Sequence, residues 1–361
     1  MSYCRECSGK RWTTEGVQDF AVARLGKREG AELLGRIVAA GRQAGLLQPA
    51  PMGSAVRLCG YALCVAVCLH LAWFTDSVAL LVIALQGLAY FTTQLAFLGH
   101  GALHGAVSGK PGINQLFGQV SMTAFGGLCF EEWKKRHREH HLFCQVEGRD
   151  PDMAVEFAAS LTAGSARSKG KLARALGRFQ GTYVWGLALL FGHSQRVLSQ
   201  LEALAKPVRY RRDLAFLAIH YGLWIGLPLV LQVPAERVII VYLVPATLLG
   251  LHLAAVFWVN HVGMPLIADP KAFSIVERQV RTSRNIRVHA IVDSVFGGLN
   301  YQIEHHLMPS CPPFRLRRLQ QLVRPLLLEA GLPYNESAWG TALRDVGAHF
   351  SAIGALLEKP G

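Results

Sequence analysis

Three clusters of side chains in this sequence have the types and the spacing to hold metal ions. The segment HGALH places His100 and His104 four residues apart. HREHH places His137, His140 and His141 at i, i+3 and i+4, and QIEHH repeats that spacing with Gln302, His305 and His306. On a helix these offsets put the side chains on one face, so each cluster is a short comb of ligands. His261, in FWVNHVGMP, closes an apolar stretch. Imidazole suits iron, copper and zinc. Eight imidazoles with few carboxylates exceed what one zinc site needs and point to two metal ions. His70, His193, His220, His252, His289 and His349 are isolated and read as structural. Cys4 and Cys7 form a C-x-x-C without a second pair, and Cys59, Cys64 and Cys68 in an apolar stretch read as small hydrophobes.

The elements that must position these combs are apolar. Of 361 residues, 51% are hydrophobic and only 17% charged, with a mean hydropathy of +0.27. Soluble domains carry roughly a quarter charged residues, so the composition indicates a membrane protein. Four uncharged stretches, 58–75, 77–99, 214–235 and 238–268, are each long enough to cross a bilayer. The first two join around Asp76 and the second two around Glu236 and Arg237, which predicts two tight helical hairpins. Residues 1–57 hold nine Lys and Arg, residues 99–212 hold 16, the chain after 262 holds eleven, and the hairpin tips hold one, Arg237. Positive charge stays inside, so both termini, the central loop and all three combs are expected on the cytoplasmic side. The net charge of +13 fits loops facing an anionic leaflet. No aromatic-interleaved basic groove suggests nucleic acid.

The expected fold class is thus an all-α integral membrane protein. Its four transmembrane helices form two hairpins, and a cytoplasmic helical cap holds the metal site. Residues 1–50 form a cytoplasmic lead-in, amphipathic over 17–47. Residues 51–334 form the membrane domain, and 335–361 a cytoplasmic tail. The segments 111–130 and 179–204 are partly apolar and read as helices on or dipping into the membrane surface.

From about Phe97 to Tyr334 the chain resembles the membrane fatty acid desaturase family, in its front-end or linoleoyl-type branch. LGHGALHGAVSGKPGINQLFG is similar to the first histidine box, EEWKKRHREHHLFCQVEGRDPDM to the second, and GGLNYQIEHHLMP to the third, whose leading glutamine marks the front-end group. The resemblance implies a non-haem di-iron centre, dioxygen as co-substrate, and removal of two hydrogens from a fatty acyl chain. It implies His100, His104, His137, His140, His141, His261, His305 and His306 as iron ligands. Gln302 stands where other branches have a ligand histidine, as a weak or water-mediated ligand. Asn260 stands where relatives hold a metal-bound water. Glu139, Asp150, Asp152 and Glu304 are the acids near enough in sequence to orient imidazoles. Two positions depart from the family. Gly101 follows the first histidine where many relatives have aspartate, and Gln145 stands where relatives often have asparagine.

Residues 1–69 contain no histidine, so an H-P-G-G haem domain is not expected within them. Electrons are expected from a separate carrier, ferredoxin or a free cytochrome. The acyl substrate would arrive on CoA, on a carrier protein or in a lipid. Arginine outnumbers lysine 27 to 10, and EKPG carries no retention signal, which favours a bacterial inner membrane over endoplasmic reticulum. A hydroxylase or ketolase of the same superfamily would use the same site. A zinc membrane hydrolase fits less well, since no H-E-x-x-H occurs, and a non-catalytic receptor leaves eight histidines unexplained.

Overall fold

The computed structural model describes residues 25–153 and 159–357. The C-x-x-C, the start of the lead-in and the EKPG end lie outside the described residues. Among the described residues sixteen α-helices follow one another: α1 Lys27–Gln43, α2 Pro51–Phe74, α3 Val78–Leu103, α4 Pro111–Gly118, α5 Phe130–Phe143, α6 Ala163–Ser168, α7 Lys171–Gly177, α8 Gln180–Ala205, α9 Arg211–Tyr221, α10 Leu227–Val230, α11 Ala235–His261, α12 Ile275–Arg281, α13 Ala290–Phe296, α14 Gln302–Leu307, α15 Leu316–Glu329 and α16 Trp339–Ala355. The strands among the described residues are two-residue segments, β1 Asn285–Ile286 and β2 Glu336–Ser337, paired in parallel.

Among the described residues, four helices are long and apolar enough to cross a membrane: Pro51–Phe74, Val78–Leu103, Arg211–Val230 and Ala235–His261. The third runs from α9 through a π-helical turn, Gly222–Gly226, into α10. Their apolar side chains face outward as well as inward. On α2, Val56 and Leu63 are 63% and 66% exposed, a surface that hydrocarbon covers and water would not tolerate. The spans differ from the uncharged stretches at their ends. α2 starts seven residues before the stretch at 58 and carries Arg57 inside it, and the third span begins at Arg211. A charged residue does not end a helix. A long basic side chain turns its head to the interface while the backbone ladder continues.

Arg237 ties the two hairpins together at their tips. Its Nη1 donates to the carbonyls of Ala72 and Thr75, each at 3.2 Å. The lone tip cation thus meets the carbonyl end of α2, where the helix dipole is negative. At the opposite end, α3 finishes on the first comb and α11 finishes on His261.

Helices cap that opposite end. α1 buries Leu33 and Ile37 in a core with Val280 of α12, Ile303 and Leu307 of α14, and Leu319 and Val323 of α15. The lead-in is therefore the outer wall behind the third comb. Residues 111–118 and 180–205 are helical, and α8 runs backbone to backbone with α11. A Cβ on Gly250 would meet Gly192 N at 2.6 Å and Ala188 O at 2.7 Å. Over Trp339–Ala355 the chain's last segment packs Ala342, Val346 and Phe350 into the core that also holds Val184 of α8 and Val256 of α11.

Candidate metal centre

The three combs reach one place from distant parts of the chain. His100 lies in the last turn of α3 and His104 is its C-cap. The second comb faces inward along α5. The third occupies α14, a helix of only six residues, so its placement depends on what precedes it. Gly297 and Gly298 both take positive φ, +56° and +96°. A Cβ on Gly298 would sit 2.4 Å from the Pro313 carbonyl oxygen. Glycine is required there on both counts, and the turn it permits aims α14 at the other two combs. The same proline explains the departure at Gly101, where a Cβ would press on Pro313 Cδ at 3.1 Å.

The histidines sort into two groups. His100, His104, His137, His141 and His305 bring ligand atoms within 4.8 Å of one another, and so do His140, His261 and His306 with Cys144. In the first group the Nε2 atoms face each other: His100 to His137 at 2.7 Å, His137 to His141 at 3.0 Å, and His141 to His305 at 3.1 Å. His104 Nε2 and His306 Nε2 are buried with no partner. Each orphaned buried polar atom costs about 1–3 kcal/mol. Facing lone pairs need a proton or a cation between them. Shared cations would satisfy all these nitrogens at once, so the side chains fit two metal ions. Burial first, then the neighbouring rings, holds His104, His137, His141, His305 and His306 well below the usual histidine range. They are neutral, as ligands must be.

The second group is oriented by acceptors that fix the tautomers. His261 Nδ1 lies 2.9 Å from the Thr282 carbonyl, which only accepts, so Nδ1 carries the proton and Nε2 the lone pair. Gln279 does the same for His306. Its Nε2 donates to the His141 carbonyl at 2.7 Å, which leaves Oε1 to accept from His306 Nδ1 at 2.9 Å. His140 Nδ1 meets Asp150 at 2.9 Å and Asp152 at 3.5 Å. Burial alone would push His140 down, but Asp150 and then Asp152 outweigh it and raise it to about 9. A cation at this group must therefore displace a proton from His140.

The remaining sequence candidates take varied positions. Asp150 is buried and also accepts from Gln145 N at 2.9 Å and Asp152 N at 3.0 Å. Gln145 sits at φ +58°, a region that costs a non-glycine residue about 1–2 kcal/mol. The Asp150 bond and a side-chain bond from Gln145 to the His261 carbonyl hold it there. Gln302 lies in the second group's neighbourhood, with Nε2 2.9 Å from His261 Nε2. Asn260 donates to the Leu299 carbonyl at 3.0 Å and to Gln302 Oε1 at 3.2 Å, while its own Oδ1 is buried without a partner. Glu304 is buried but bonds Asn285 and Tyr334, each at 2.7 Å, rather than a histidine. It anchors α14 from behind. Glu139 is half-buried, and none of its hydrogen bonds or ion pairs reaches a histidine among the described residues.

Four neighbours of the histidines carried no signal in the sequence. Gln279 and Thr282 belong to no cluster and act through one amide and one carbonyl. Trp133 stacks on His137, with ring centroids 4.5 Å apart and planes at 15°. Cys144 Sγ lies 3.4 Å from His261 Nδ1, on the side already bonded to Thr282. Burial pushes its thiol well above the usual range, so it is a protonated bystander.

Beside the two groups lies a cavity of about 360 Å³. His100, His137, His140 and His261 form one wall, and Phe97, Leu198, Leu253, Phe257, Trp258 and Leu266 form much of the rest. A mostly apolar cavity with one polar wall suits an extended hydrocarbon brought against that wall.

Comparison with known proteins decides the family. The family model described as "Fatty acid desaturase" matches residues 75–338, more than half of the chain. The chain belongs to the fatty acid desaturase family. It is 29% identical over 253 residues to the Delta(8)-fatty-acid desaturase of Euglena gracilis, covering 67% of this chain and 60% of that protein. Against the Delta(8)-fatty-acid desaturase of Helianthus annuus it is 28% identical over 310 residues, covering 81% of this chain and 66% of the relative. A Delta(5) fatty acid desaturase of Caenorhabditis elegans is 29% identical over 265 residues. The front-end resemblance carried by QIEHH agrees with these relatives. The family member described here spans under two thirds of the length of these relatives.

Proposed function

We propose that this protein is an oxygen-dependent fatty acyl desaturase that places a C=C bond in an acyl chain held in the 360 Å³ cavity. The observation that carries the proposal is the wall shared by that cavity and two groups of inward-facing imidazole nitrogens. Two iron ions would be held by His100, His104, His137, His141 and His305 in one group and by His140, His261 and His306 in the other, with Gln302 and Asn260 beside the second. Bound iron supplies the redox chemistry with dioxygen that unactivated C–H bonds require.

The chain's own residues do the rest. Thr282, Gln279 and Asp150 hold Nδ1 of His261, His306 and His140, so that each turns Nε2 inward. Trp133 fixes the His137 ring. Phe257, Trp258 and Leu253 line an apolar slot that excludes water and lays the acyl chain along the histidine wall. The acyl carrier is CoA, a carrier protein or a lipid. Electrons come from a separate donor, ferredoxin or a free cytochrome.

The metal face is cytoplasmic in this reading. The support is charge, since 36 of the 37 Lys and Arg lie outside the hairpin tips. Residues 51–334 are taken as the desaturase domain, with 1–50 and 335–361 as flanking segments. A bacterial inner membrane gains no support from the relatives named above, which are eukaryotic.

The test is expression in a host of defined fatty acid profile, with mass spectrometry of double-bond positions. New unsaturation that disappears with His305→Ala is expected. A hydroxylated or keto product without new unsaturation would overturn the proposal.

A further inference from the structure

A second cavity, of about 250 Å³, opens on the other face of α3. Ala96 and His100 face the first cavity, Gln94 and Leu98 face the second, and Phe97 is a wall of both. The lining of the second is mixed, and it carries two arginines, Arg57 and Arg317. Arg57 of α2 lies 3.9 Å over the Phe314 ring and donates to Gly53 O, in its own helix, at 3.0 Å. Among the described residues no carboxylate pairs with it. Arg317 approaches Asp293 only at 3.6 Å. Asp293 is in turn bonded by Tyr301 Oη and Asn300 Nδ2, each at 2.8 Å. The cavity therefore holds two guanidinium groups against one carboxylate, whose Oδ1 takes both hydrogen bonds and whose Oδ2 faces Arg317. A half-buried, unpaired guanidinium is costly unless an anion meets it.

The depth of the cavity narrows the choice of anion. Arg57 is six residues into α2, about 9 Å at 1.5 Å per residue, at the end of the helix bundle that carries the histidines. The cavity thus sits where the apolar part of α2 gives way to the cap. Further along α2, Leu63 and Val67 are exposed and would lie against hydrocarbon. An anion with hydrocarbon tails matches both surfaces, and a free ion matches only the cavity.

We propose that this cavity binds the phosphodiester of an anionic glycerophospholipid. Arg57 is the principal contact, Arg317 a second one, and the lipid tails lie along α2. Arg57's planar fork suits two phosphate oxygens, and Phe314 fixes its orientation. The inference rests on the membrane-spanning helices and not on the redox chemistry. It bears on the metal centre all the same, because Tyr301, which lines the cavity, directly precedes Gln302. A bound headgroup would brace the Gly297–Tyr301 turn from which α14 starts.

The test uses the full chain purified in maltoside micelles, with thermal unfolding followed during three additions. These are phosphatidylglycerol, a diacylglycerol with the same acyl chains, and inorganic phosphate. Phosphatidylglycerol should raise the unfolding midpoint saturably, and the other two should not. Arg57→Gln should raise the half-saturating phosphatidylglycerol concentration about tenfold, equivalent to roughly 1.4 kcal/mol. Arg57→Lys should recover part of that loss. Arg36→Gln, at an exposed pair with Glu329 outside the cavity, should change nothing. A native response from Arg57→Gln overturns the proposal. Equal stabilisation by inorganic phosphate overturns it in favour of a free-anion site, and equal stabilisation by diacylglycerol shows that tails alone bind. If Arg57→Gln does not fold, Arg317→Gln carries the test, and the absence of any shift in that variant overturns the proposal.

Discussion

Gln279 holds both histidine groups with one amide. Its Nε2 donates to the carbonyl of His141, a member of the first group, and its Oε1 accepts from Nδ1 of His306, a member of the second. Gln279→Leu keeps similar bulk and removes both bonds. The buried His306 Nδ1–H and His141 carbonyl then lose their partners, at about 1–3 kcal/mol each. His306 also loses the group that fixes its tautomer, so its proton is free to move to Nε2, the ligand nitrogen. Loss of such an outer partner weakens metal binding about 10–100-fold, which corresponds to roughly 1.4–2.8 kcal/mol. The first figure is a cost to the fold shared between His141 and His306, and the second is a cost to metal binding that falls on the His306 group.

The assay is iron content after dialysis against a graded series of chelator, with thermal unfolding in parallel. Native protein should hold about two irons per chain, and Gln279→Leu should give up one of them at about 10–100-fold lower chelator strength. Gln279→Glu keeps an acceptor for His306 but loses the donor to the carbonyl, so it should fall between the two. If Gln279→Leu retains both irons as firmly as native protein, the tautomer argument is wrong and the amide only fills space.

Other outcomes follow from the same geometry. His306→Ala should release iron from the second group, whereas Gln302→Ala should keep most of the iron and lose product yield; equal iron loss in both would make Gln302 a direct ligand. Gly250→Leu should force α8 from α11, because a Cβ there already meets Gly192 N at 2.6 Å; overpacking of this kind costs about 1–3 kcal/mol, read as a lower unfolding temperature in detergent, and an unchanged midpoint would show that the helices can part freely. Reporter fusions at residues 76 and 236 should read on the same side of the membrane, opposite to one at residue 206. A split between 76 and 236 would contradict the bond from Arg237 to the Ala72 and Thr75 carbonyls.

How much was legible depends on the range over which each feature is set. The combs were legible because i, i+3 and i+4 spacing is local to one helix, and α5 and α14 form over those residues. His261 was legible as the end of an apolar run, and α11 ends on it. The span ends were not legible, because the uncharged stretches stop short of Arg57 and Asp213 while the helices run on through these charges to Pro51 and Arg211. The division of the histidines into five and three was not legible. His140 and His141 are neighbours in sequence, yet adjacent helix positions point about 100° apart and fall into different groups. Gln279 was invisible for a related reason, since its role rests on one carbonyl and one ring nitrogen 138 and 27 residues away in the chain.

The glutamine of QIEHH shows how far local and distant constraints combine. Its spacing puts Gln302 on the face of His305 and His306, but its amide is oriented from elsewhere. The Leu299 carbonyl only accepts, so Asn260 must turn its Nδ2 toward it. The same NH2 then donates to Gln302 Oε1, which leaves Gln302 Nε2 facing the lone pair of His261 Nε2. Gln302 therefore offers a donor where a histidine would offer a lone pair, and its oxygen is already engaged. A cation that takes the His261 lone pair must break this contact and turn the amide, and Asn260 Oδ1, buried and unpartnered, is the nearby acceptor that the freed NH2 lacks. Asn260 and Gln302 thus form one adjustable pair beside the second histidine group, and replacing either should disturb the other.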